Sequence, residues 1–134
     1  MKIVDTVVLI GYINPSYPLN ERATEYILNV SELEDDLFIP SASLMELDLE
    51  FKTHGLSDHQ RAEIHSKLAR LFPADVILPI SPAVLRKAAE LSQRAHWRGA
   101  YFDSLIVATG LEYHAESAIS TDRRFTDLGL KISF

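Results

Sequence analysis

Short β-rich apolar runs alternate along this chain with longer segments of helical period, and that alternation constrains the fold more than any other feature. The runs are Lys2-Ile3-Val4, Leu37-Phe38-Ile39, Val76 to Leu78 and Ala118-Ile119. Strands separated by whole helices cannot form hairpins. They pair in parallel through right-handed crossovers. The expected class is therefore α/β: a three-layer α/β/α sandwich around a small, twisted, mainly parallel sheet. Leu130 to Phe134 is expected to add an edge strand.

The intervening segments read as helices. Thr6 to Ile13 is an apolar run expected to turn helical, and Pro15 and Pro18 then punctuate a loop. From Leu19 to Val30, the residues Ala23, Tyr26, Ile27 and Val30 recur at the spacing of one helix face. Pro40 stops the second strand, and Ser41 or Ser43 is expected to cap a helix running through Glu46 to about Lys52. Ile64, Leu68, Leu71 and Phe72 mark the next helix, with Asp58 near its start and Pro73 after its end. Ser81-Pro82 has the form of a cap followed by Pro at the first helical position, and Val84, Ala88, Leu91 and Ala95 continue that helix. The pattern breaks from His96 to Phe102. Asp103 then opens an almost wholly apolar helix through Tyr113, as expected for one buried against a sheet.

A chain of 134 residues suits one hydrophobic core, so a single domain over residues 1–134 is expected. Nineteen Asp and Glu against thirteen Lys and Arg give a net charge of −6. A polyanion partner would then need a cation beyond the side chains, such as a divalent metal, to mediate contact. There is no cysteine, which removes disulfides, zinc–thiolate and iron–sulfur chemistry and fits a reducing cytoplasm. No apolar run approaches the ~18 residues of a membrane span, and Lys2 and Asp5 come too early for a signal peptide's apolar stretch. The five histidines form no i, i+4 pair, so no zinc site is expected. Neither a dinucleotide nor a P-loop fingerprint is present.

In open parallel sheets, function collects outside the carboxyl ends of the strands. Asp5 ends the first strand and Asp122 follows a late one. Each acid has an ordinary reading. Asp5 and Asp103 suit helix N-caps, Glu46 an outward helix position beside Glu50 or Lys52, and Asp122 a turn. Asp5, however, lies between apolar runs, where an unpaired carboxylate is costly. All four stand at strand ends or helix starts that an α/β fold gathers on one edge. Carboxylates about 4 Å apart repel by roughly 4 kcal/mol at an effective dielectric of 20. A cluster of four needs a countercharge, and Mg²⁺ or Mn²⁺ suits an all-oxygen site.

The order of these motifs resembles the PIN domain over essentially the whole chain. The motifs are Ile3-Val4-Asp5-Thr6, then Ser41-Ala42-Ser43-Leu44-Met45-Glu46, then Phe102-Asp103-Ser104-Leu105, and finally Ser120-Thr121-Asp122-Arg123-Arg124-Phe125. Its size is similar to that of VapC-type toxins, the ribonuclease halves of toxin–antitoxin pairs. The resemblance implies Mg²⁺- or Mn²⁺-dependent hydrolysis of phosphodiester bonds in single-stranded or loop RNA. Asp5, Asp103 and Asp122 would coordinate metal, and Glu46 would coordinate it or orient the attacking water. Thr6 and Ser120 would hold carboxylate rotamers by hydrogen bonds. Arg94, Arg98, Arg123 and Arg124 are candidate RNA-backbone contacts, and Trp97 and Tyr101 candidate stacking residues. An antitoxin that inserts side chains into the active-site groove, and a homodimer, are implied as partners. Many relatives carry a further acid two residues after the fourth; here Arg124 stands there, which puts a second metal position in question.

Two other classes compete. One is a PIN-like binding module with weak or lost cleavage, which the intact quartet argues against. The other is an aspartyl phosphatase using Asp5 as nucleophile, a chemistry that usually wants an acid where this chain has Val7. A housekeeping RNA-processing nuclease is the alternative within the nuclease reading.

Overall fold

Ile3 and Val4 are adjacent in the first strand and both are fully buried. Successive strand side chains point to opposite sheet faces, so both faces of the sheet are covered. The computed structural model describes residues 1–32, 36–95 and 100–134. Its strands are β1 (Lys2–Val4), β2 (Leu37–Pro40), β3 (Ile77–Leu78) and β4 (Ser117–Ile119). All the pairings among them are parallel, and the spatial order is β3-β2-β1-β4.

The helices are α1 (Thr6–Ile13), α2 (Asn20–Glu32), α3 (Ser41–Thr53), α4 (Asp58–Leu71), α5 (Pro82–Ala95), α6 (Tyr101–Glu112) and α7 (Arg124–Asp127). One core joins Ile3 and Ala118 to Val84, Ala88 and Leu91 of α5 and to Leu105 through Ala108 of α6. The other joins Val4, Ile39 and Ile119 to Val8 and Leu9 of α1, Ala23 and Ile27 of α2, Leu47 of α3 and Leu68 of α4. This is the expected three-layer α/β/α arrangement.

Three local expectations are corrected. Leu130 to Phe134 forms no full strand. It makes a single parallel bridge, Ala118 to Ile132, in which the amide of Ala118 donates to the Lys131 carbonyl and that of Ser133 to the Ala118 carbonyl. Neither Ser41 nor Ser43 caps α3; Pro40 stands at the cap position without a side-chain bond. The Ser43 hydroxyl instead donates to the Val4 carbonyl at 2.7 Å, tying α3 to the end of β1. Asp103 is not the cap of α6, which starts at Tyr101 with Ala100 before it. Asp103 lies in the first turn, where a carboxylate is favoured by the helix dipole. The helix break expected from His96 to Phe102 lies partly outside the described residues, at His96 through Gly99.

Two features fix the elements that carry the acids. Asp48 accepts from Arg61 Nε at 2.9 Å and Nη2 at 2.5 Å and contacts His65 Nε2 at 2.8 Å, clamping α4 to α3. Gly110 lets α6 press onto the sheet. A Cβ there would lie 2.8 Å from both Ile3 Cδ1 and Leu130 Cδ2. Overpacking of this kind costs about 1–3 kcal/mol, against a helix gain of up to about 1 kcal/mol for replacing glycine. Gly110→Ala is therefore expected to destabilise by about 1 kcal/mol in chemical denaturation. A more stable variant would show that the two methyl groups yield freely.

Candidate metal centre

The site begins where β1 ends. Asp5 leaves the strand and stands at the N-cap of α1, with Oδ1 accepting the Thr6 amide at 2.7 Å. Its other oxygen accepts the Ser120 hydroxyl at 2.5 Å, across the boundary between β1 and β4. The Asp5 amide donates to the Ile119 carbonyl at 3.1 Å, which fixes the same junction through the backbone. Ser120 in turn accepts the Asp122 amide at 2.9 Å. One buried hydroxyl thus orients the first acid and shapes the turn that bears the fourth.

Glu46 arrives from α3 and Asp103 from the first turn of α6. One carboxylate oxygen each from Asp5, Glu46 and Asp103 lies within 4.8 Å of the other two. At that distance like charges repel by about 3 kcal/mol per pair at an effective dielectric of 20. The Thr6 hydroxyl lies 3.4 Å from the Ser43 carbonyl and stabilises the Glu46 carboxylate. The three acids open into a cavity of about 420 Å³ that Asp122, Glu50 and Thr121 also line.

Electrostatics separate the three converging acids from the fourth. Burial pushes the Asp5 carboxyl up to about 7; the bonds from Ser120 and Thr6 oppose this, while the charges of Asp103 and Glu46 add to it. Burial also raises Glu46, helped by the charges of Asp103 and Glu50, with Thr6 opposing. Asp103 is raised by burial against the opposing charge of Arg124. Asp122 moves the other way, because hydrogen bonds from Arg124 hold it below the usual carboxylate range.

Asp122 stands on the same cavity but outside the converging trio. Arg124 Nε lies 3.0 Å from each of its oxygens, Arg124 Nη2 lies 2.6 Å from Oδ2, and the Arg124 amide donates to Oδ1 at 3.0 Å. The same Nη2 donates to Asp103 Oδ2 at 2.8 Å. The donor chemistry of the trio, all oxygen and partly desolvated, fits a hard divalent cation such as Mg²⁺ or Mn²⁺.

The sequence matches a known family, the PIN domain, over residues 2–131. The chain belongs to the PIN domain family. Among curated relatives, the VapC ribonuclease of Aquifex aeolicus (strain VF5) is 24% identical over 131 residues, spanning 98% of this chain and 94% of the relative. Among solved PIN-type folds, FitAcB from Neisseria gonorrhoeae superposes with a TM-score of 0.75 at 22% identity, covering 100% of this chain and 97% of the other. VapC20 from Mycobacterium tuberculosis, described as a toxin that cleaves the sarcin–ricin loop, gives 0.73 at 14% identity, with 97% and 96% covered.

Within this PIN domain the other sequence candidates divide. Thr6 and Ser120 are buried against the acids. Arg94 and Arg123 are exposed, and Tyr101 is 64% exposed at the start of α6. Trp97 and Arg98 lie outside the described residues. Sequence reasoning missed the place of Glu50 on the cavity, although its spacing of four from Glu46 on α3 was the available signal. It also missed Ser43, whose bond to Val4 requires knowing that α3 crosses the end of β1.

Proposed function

We propose that this chain is a metal-dependent endoribonuclease, working as a VapC-type toxin that hydrolyses phosphodiester bonds in RNA. The observation that carries this is the convergence of Asp5, Glu46 and Asp103, from three separate elements, on one open cavity beside the carboxyl end of β1. The PIN family and the ribonuclease relative support the substrate class.

In this reading Asp5, Glu46 and Asp103 hold a divalent cation, Mg²⁺ or Mn²⁺. When bound, such an ion neutralises charge on the scissile phosphate and eases deprotonation of water. The protein supplies position. Ser120 and Thr6 fix the rotamer of Asp5, so that both its oxygens are oriented before any ligand arrives. Glu46 lies one helical turn from Glu50 on the rim, and its raised affinity for protons suits it to orient the attacking water. Asp122 acts through Arg124. We further propose that the chain works as one domain on cytoplasmic RNA. Its proposed partners are a small antitoxin that covers the groove and a second copy of the chain. No helix among the described residues is long and apolar enough to cross a membrane.

The test is cleavage of a loop-containing RNA by the purified protein across a Mn²⁺ titration, with Asp103→Asn as control. Cleavage is expected only with added metal and at least about a hundredfold slower in the variant. Equal cleavage by both proteins, or metal-independent cleavage, overturns the proposal.

A further inference from the structure

The carboxylate cluster already contains a cation. The Arg124 guanidinium bridges Asp122 and Asp103, giving several N–H groups to the first and one at 2.8 Å to the second. Its position is fixed by the fold. The short helix α7 begins at Arg124, and the next residue, Phe125, is fully buried in the core. The backbone amide of Arg124 is itself bound to Asp122 Oδ1. The fork geometry of a guanidinium allows one side chain to engage two carboxylates together, which a lysine ammonium does less well.

We propose that Arg124 is a positioning residue that takes the place of a second metal ion and limits this site to one divalent cation. The inference rests on the metal-dependent reading above. Both Asp122 oxygens accept from Arg124, and the guanidinium charge opposes binding of a cation to the same carboxylate while the pair persists. Asp103 is shared, with Oδ2 held by Arg124 on one side while the carboxylate faces Asp5 and Glu46 on the other. Charge balance agrees. Four carboxylates with one guanidinium accept one divalent ion with little residual charge, whereas a second ion would leave the site positive. With Arg124 removed, the same four carboxylates balance two divalent ions, and Asp103 loses the contact that holds its Oδ2. Glu50, on the exposed rim, is screened by solvent and changes this little.

The experiment is Mn²⁺ binding by calorimetry, with free Mn²⁺ counted by electron paramagnetic resonance. It is run on the wild type, Arg124→Ala, Arg124→Lys and the double variant Arg124→Ala/Asp122→Asn. Arg124 is half exposed, with 53% of its side chain accessible, so circular dichroism is expected to show all four folded. The wild type is expected to bind one Mn²⁺ per chain, Arg124→Ala two and the double variant one. Arg124→Lys should stay at one, because the charge is kept. Two ions in the wild type, or one in Arg124→Ala, overturn the role of Arg124 and leave the single-metal nuclease reading standing. No Mn²⁺ binding by any of the four overturns that reading and the role of Arg124 with it.

Discussion

Asp5→Asn is expected to lower RNA cleavage by more than about a hundredfold while making the metal-free protein more stable at pH 8. The two effects share one cause. Asp5 is 5% exposed, and burial lifts its carboxyl from 3.8 to about 7. A raised acid contributes its full stability below the unfolded pKa. That stability is lost as pH climbs through the folded value. Between about pH 4 and pH 7 the unfolded chain therefore gains from ionising while the folded chain resists it. Above that window, holding the charged form costs on the order of 4 kcal/mol in the absence of metal. Asparagine keeps the acceptor for the Thr6 amide and removes the charge. In chelator, the variant is expected to melt on the order of 10 °C above the wild type at pH 8, with the gap closing toward pH 4. A gap that is the same at both pH values would mean the stabilisation does not come from the buried charge.

The second large effect is expected in the core, at the residue that follows Arg124. Phe125→Ala should cost about 3–5 kcal/mol, a large share of a typical domain's stability. Phe125 is fully buried among residues of the α5–α6 core. Its amide donates to the Asp122 carbonyl at 3.2 Å, and its own carbonyl accepts the Leu130 amide at 3.1 Å. That second bond closes over Gly129, whose φ of +92° belongs to a region where L side chains are strained. The ring therefore anchors the turn that carries Asp122 and Arg124 on one side and the C-terminal segment on the other. Urea denaturation measures the loss. A cost under about 1 kcal/mol would mean that the pocket collapses around the smaller side chain.

Much of this arrangement was legible in the sequence. The alternation of strands and helices required a parallel sheet, and the apolar stretch from Leu105 to Ala108 read as a helix buried against it. Asp5, Asp103 and Asp122 stood out because each falls where a strand ends or a helix begins, and Glu46 through its place in the order of motifs. What escaped was governed by contacts between distant segments. Ser43 had the composition of a helix cap, yet the nearby Val4 carbonyl offered its hydroxyl a better partner once α3 crossed β1. Leu130 to Phe134 had the pattern of a strand, but only the stretch around Ile132 lies close enough to β4 to pair. Arg124 read as an RNA-backbone candidate standing where many relatives carry a further acid, with no partner assigned to it. Its engagement with Asp103, 21 residues earlier, depends on the packing of α7 against α6 and is invisible to local spacing.

The placement of β4 beside β1 has a consequence for when the site comes into existence. Asp5 is translated well before the hydroxyl that holds it, since Ser120 lies 115 positions later. Until β4 emerges, a growing chain lacks both that hydroxyl and the Ile119 carbonyl that receives the Asp5 amide. The site is thus finished only once β4 and Ser120 have been made, and fragments truncated before β4 should be inert whatever acids they contain.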